Sequence, residues 1–159
     1  MKVFEDFGKF VAHMATIEAA VVLHAERGLK KSAVVVEKAA KAELGTYQQA
    51  AGPFPAWAPL AEATQAERAR LGFTPDDPLL RDGTLIRDSI KHEVAGHEAV
   101  IGSTEEVAAY QEFGTNRIPP RPFMGPAIFH SKKKIEKIMG RGLVTAIVGG
   151  ASVFGEGEE

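Results

Sequence analysis

The chain has 159 residues, enough for one domain with a modest core and one or two extended arms. Its 45% hydrophobic and 25% charged residues are those of a globular protein, and a net charge of −2 leaves no overall basic field to attract nucleic acid. The complete lack of cysteine excludes disulfide frameworks, cysteine-based zinc sites and thiol nucleophiles.

At the N-terminus, Glu5 and Asp6 stand where a secretory leader needs a positive segment and an apolar run. The apolar stretch from Ala15 to Ala25 is interrupted by Glu18 and His24 and is too short and too polar to span a bilayer. The expectation is a soluble protein made in the cytoplasm, with no membrane partner. Val3, Phe7, Phe10, Met14, Ile17 and Val21 recur at alternating spacings of four and three, which predicts a long helix over about 3–44. Such a seam packs on its own domain or also on a neighbouring subunit. Gly28 is expected to weaken or bend this helix by about 1 kcal/mol relative to alanine. Gly45 is the expected stop.

Residues 46–78 form a loop arm broken by Pro53, Pro55, Pro59, Pro75 and Pro78, with a short helix expected over 64–71. Trp57 is the only tryptophan; in this loop it either anchors the arm to the core or meets a partner. Residues 79–91 read as a helical turn entering a strand. A hairpin follows, with arms Ile90–Ala95 and Glu98–Gly102 around a turn near Gly96. Ser103 or Thr104 ahead of Glu105 and Glu106 marks the start of a helix to about Phe113. A rigid loop and a last helix over about 126–148 complete the domain, with Pro126 in its first turn. The fold class is α+β: two long helices packed on a small antiparallel sheet, with a long proline-rich loop. Residues 1–148 form the domain, and the Gly- and Glu-rich residues 149–159 read as a flexible acidic tail.

Three arrangements invite a chemical reading. His92 and His97 flank Glu93-Val94-Ala95-Gly96, but zinc-binding helices need histidines four apart, and a spacing of five rotates the second by about 140°. Ser152 in GGASVFG lacks the second glycine of a nucleophile elbow. Asp76-Asp77 and Glu105-Glu106 are adjacent pairs and do not face one another across a bond to be cleaved. No catalytic residue, metal or cofactor is expected, and a small hydrolase using His92 or His97 is the weakest alternative. Lys133, Lys137 and Arg141 follow i, i+4, i+8 on one helical face. That face is a solvated surface, meets an acidic neighbour, or meets DNA through sequence-blind electrostatics.

The segment from Tyr110 to Pro126 is the most specific. Gly114 permits a positive φ as the short helix ends, and Pro119, Pro120 and Pro122 fix an extended path. Trp57, Phe113, Gly114, Thr115, Arg117, Pro120, Arg121, Pro122 and Phe123 are the candidate contact residues of a stiff, presented loop that docks to neighbouring subunits. The same residues carry a resemblance. Ala108-x-Tyr110-x-Glu112-Phe113-Gly114-Thr115 followed by Arg121-Pro122-Phe123-x-x-Pro126-Ala127 resembles the bacteriophage tail-completion or head–tail joining proteins, a group that includes phage virion morphogenesis and minor tail proteins. Trp57-x-Pro59-Leu60 with Thr64, Pro78-Leu79 with Gly83, Leu85 and Ser89-Ile90, and Val100 with Gly102-Ser103 resemble further segments of that family, in order, over about 44–147. The resemblance implies a non-enzymatic virion protein at the neck or top of the tail, forming a ring, commonly a hexamer, between a head-closure or connector protein and the tail tube, around the channel the DNA traverses.

Overall fold

A computed structural model describes residues 6–79 and 85–148. The expected acidic tail, the first residues of the expected long helix, Ser152, and the Leu80–Thr84 part of the third family-like segment lie outside the described residues. The chain runs α1 (Phe7–Glu43), α2 (Glu62–Arg70), α3 (Leu85–Ser89), β1 (Ile90–Ala95), β2 (Glu98–Ser103), α4 (Glu106–Phe113) and α5 (Met124–Val148). It is an α+β fold whose described sheet is the single antiparallel hairpin β1–β2. By packing, the described residues divide into two compact units, one of residues 33–79, 85–93 and 100–132, the other of 6–32, 94–99 and 133–148.

The first unit holds the core. Ala40 and Leu44 from the end of α1 meet Trp57, Leu79, Ile86, Ile90, Ala108, Phe123 and Ala127, with Tyr47, Ile101 and Met124 packed around them. Burying each large member stabilises the fold by about 1.5–3 kcal/mol. Most of this core comes from the helices and loops, with Ile90 and the partly buried Ile101 from the sheet. Two strands supply too little apolar surface, and Ile90 is their one buried member of it.

Helix α1 stops where expected. Gly45 adopts φ +95 and its N–H reaches the carbonyl of Pro78 at 3.0 Å, a turn that a β-carbon would strain. Gln48 folds back to donate to the carbonyl of Glu43 at 2.8 Å, satisfying one of the helix's open acceptors. The hairpin also falls where expected, because Gly96 at φ +57 supplies the left-handed corner that a two-residue turn requires.

In the second unit, Asp6 caps α1. Its carboxylate accepts the N–H of Lys9 at 2.8 Å. Gly28 is buried, and a β-carbon there would stand 2.9 Å from the Met139 sulfur on α5. The glycine that was expected only to weaken α1 instead lets the two helices approach closely. Phe7, Phe10 and Met14 of the apolar seam remain exposed.

Candidate functional site

The segment Tyr110–Pro126 is organised by Glu112. Its carboxylate accepts three backbone N–H groups at the start of α5: Phe123 at 2.7 Å, Met124 at 3.0 Å and Gly125 at 3.0 Å. These are donors that a helix leaves unpaired, and a carboxylate there also meets the positive end of the helix dipole. The two halves of the family-like signature are thus one structural element, the first capping the helix that the second begins. The cap starts α5 at Met124, two residues before the position expected from Pro126.

Between the halves the chain makes a tight excursion. Gly114 lies at φ +74, and a β-carbon on it would come within 2.9 Å of the Pro120 nitrogen. The Thr115 hydroxyl accepts the N–H groups of Arg117 at 3.2 Å and Ile118 at 3.1 Å, and the Thr115 N–H closes the loop on the Ile118 carbonyl at 2.9 Å. Arg121 N–H then returns to the carbonyl of Gln111 at 2.7 Å.

The arm is tied to this loop from the other side. Trp57, 5% exposed, donates its indole N–H to the Pro122 carbonyl at 2.9 Å. The Arg121 guanidinium, equally buried, reaches the carbonyl of Ala58 at 3.1 and 3.2 Å and that of Pro59 at 3.2 Å. Burial lowers the pKa of this guanidinium, with the nearby Tyr47 acting in the opposite direction. Tyr47 accepts the Leu60 N–H at 3.0 Å and donates to the Asp76 carboxylate.

These contacts correct the sequence-based picture of a wholly presented loop. Trp57, Arg121, Pro122 and Phe123 lie inside the chain's own core, and Phe123 is 1% exposed. They hold the segment in place and offer no side chain to a partner. Phe113, Thr115, Arg117 and Pro120 are exposed, and Phe113 stands 82% open to solvent at the end of α4. An apolar ring this exposed, next to a locked loop, is the residue in the segment best placed for contact.

The histidines have other tasks. His92 on β1 pairs through Nδ1 with the Glu37 carboxylate of α1, which also takes Lys41 at 2.5 Å. These two hydrogen bonds hold the Glu37 carboxyl below its ordinary value, against an opposing effect of burial. His97 sits exposed in the hairpin turn. Glu43, buried on α1, meets His130 of α5 at 3.2 Å, a pair that neither periodicity nor motif spacing signalled. No group of three metal-ligating side chains occurs among the described residues. No helix among them is long and apolar enough to cross a membrane.

Lys133, Lys137 and Arg141 are all exposed on α5. None of the three forms an ion pair among the described residues. Ser103 and Thr104 do not cap α4 as expected. The Ser103 hydroxyl accepts the Glu105 N–H at 3.0 Å and lies 2.6 Å from the Ser89 hydroxyl, and Glu105 takes the cap position without a side-chain bond. Comparison with protein-family models, with curated proteins and with solved structures gives no match.

Proposed function

We propose that this chain is a non-enzymatic structural subunit of a tailed phage or phage-like particle, forming a ring at the head–tail junction. The observation that carries this reading is the ordered resemblance over 44–147, above all Glu112-Phe113-Gly114-Thr115 with Arg121-Pro122-Phe123. Its support in the fold is physical. Glu112, the one carboxylate in that signature, has both oxygens engaged by backbone N–H groups and so serves as a helix cap. The buried residues of the signature stiffen the loop, and the exposed Phe113 is left for a neighbour; a stiff element loses little entropy on binding. The axial partners in this reading are a head-closure or connector protein and the tail tube.

Electron microscopy of deletion and complemented particles tests it. Filled heads accumulating beside finished tails would place the chain at the junction, and overlong tails would make it a terminator. A ring of this chain at the tail tip, or its absence from particles, would overturn the assignment. A second reading, a sequence-independent DNA contact, draws on the exposed Lys133, Lys137 and Arg141. A salt titration with duplex DNA separates it, since counterion release makes such binding strongest at low salt.

A further inference from the structure

Two exposed helix faces in the same compact unit match each other. On α1, Glu26, Val22, Glu18, Ala15 and Val11 follow one another toward the N-terminus at spacings of four, four, three and four. On α5, Lys133, Lys137, Arg141, Val144 and Val148 follow one another toward the C-terminus at the same four, four, three and four. At about 100° per residue each set lines one face of its helix. Both faces turn away from the contact of Gly28 with Ile138 and Met139 that joins α1 to α5 within the unit. Every member is exposed except Glu26, which is half-buried. Glu18, Glu26, Lys133, Lys137 and Arg141 carry no ion pair among the described residues.

We propose that the exposed α1 face of one copy of this chain seats antiparallel on the exposed α5 face of the next. Laid that way, Glu26 meets Lys133 and Glu18 meets Arg141, both charges lying about 12 Å apart along each helix. Val22 lies on the aliphatic stem of Lys137. Ala15 meets Val144, and Val11 meets Val148. The small residues Ala15, Ala19 and Gly140 let the axes approach. A parallel arrangement sets Val11 on Lys133 and Glu26 on Val148; it keeps Glu18 near Arg141 and Val22 on Val144 but leaves Glu26 and Lys133 without opposite charges, so the antiparallel one makes the more complete match. With the charged residues in register, like faces reject one another: α1 on α1, centred on Val22, opposes Glu18 to Glu26, and α5 on α5, centred on Lys137, opposes Lys133 to Arg141. The contact is therefore head-to-tail, uses each face once per copy, and repeats until it closes or runs on. The valines that continue the basic stripe favour a protein partner over a polyanion. The inference supplies a copy-to-copy contact for the proposed assembly and rests on that reading only for its place in a particle.

Light scattering and sedimentation of the purified full chain, at low and high salt, test it. The wild type should self-associate, more tightly at low salt. E18K/E26K and K133E/R141E should each weaken association by about tenfold or more, with unchanged circular dichroism. An equimolar mixture of the two variants should associate again, because each supplies the face the other now needs, and the four-fold variant should associate with itself. V144S/V148S should weaken association at both salt concentrations. A wild type that stays monomeric throughout, charge variants that associate like it, or a mixture that fails to rescue would overturn the proposal. So would a monomeric wild type that binds duplex DNA through a face K133E/R141E destroys. Self-association that obeys the charge rules, in a chain that microscopy finds away from the head–tail junction, would sink the neck assignment and leave this contact standing.

Discussion

The Glu112 carboxylate accepts the Phe123 N–H at 2.7 Å, and through it the end of α4 is fastened to the first turn of α5. Ordinary caps come from the residue just before the helix. Here the cap arrives from eleven positions upstream, so the intervening loop is closed by it. Glu112→Ala should cost about 1–3 kcal/mol, since three donors lose a charged acceptor. Glu112→Gln should recover part of that loss. Urea midpoints at constant slope measure both, and a Glu112→Ala midpoint equal to wild type would remove the cap from the account.

Trp57 gives a second measurable link. Its indole N–H bonds the Pro122 carbonyl across a separation of 65 positions. Trp57→Phe keeps much of the volume and orphans that buried carbonyl, for an expected loss of about 1–3 kcal/mol. As the only tryptophan, Trp57 reports unfolding of the arm directly by fluorescence in the wild type. If the arm is pinned as the geometry has it, that signal and the helical circular dichroism share one transition.

Phe113 and Phe123 sit in one segment and should behave oppositely. Phe123→Ala empties a fully buried site and should destabilise by about 3–5 kcal/mol. Phe113→Ser removes an exposed ring and should stay within about 0.5 kcal/mol of wild type. In the proposed junction role, complementation with Phe113→Ser should nonetheless yield fewer finished particles. Full infectivity with that variant would take Phe113 out of the docking surface.

Glu37 sets a pH dependence. Its carboxyl, bonded to Lys41 and His92, lies below the ordinary glutamate value of 4.5 in the folded chain. The unfolded chain therefore binds the proton more readily, and stability rises with pH across that interval. This contribution is complete above the ordinary value and is lost as pH falls through the lower, folded value. Denaturant midpoints taken from neutral to acid pH should fall less steeply for Glu37→Gln than for wild type.

Much of the framework was legible without the structure, and each success has a local cause. The hairpin follows from two short arms around Gly96, and α1 follows from its seam and from Gly45. The errors share the opposite cause. The start of α5 was misplaced because its cap comes from Glu112 on another helix. The cap of α4 was misassigned because Ser89 also engages the Ser103 hydroxyl.

The candidate surface divides in the same way. Residue types and spacing by themselves determined that a stiff, proline-fixed loop follows Gly114, and that Lys133, Lys137 and Arg141 share a helix face. They could not sort anchors from presented groups, because an aromatic ring or an arginine beside prolines suits either role. Tertiary structure made that division. Ala58 and Pro59 supply the carbonyls that take Arg121 inside, Trp57 and the core enclose Phe123, and Phe113 finds no such partners and stays in solvent. Burial is a property of what the rest of the chain brings to a residue, and no local pattern encodes contacts more than sixty positions away.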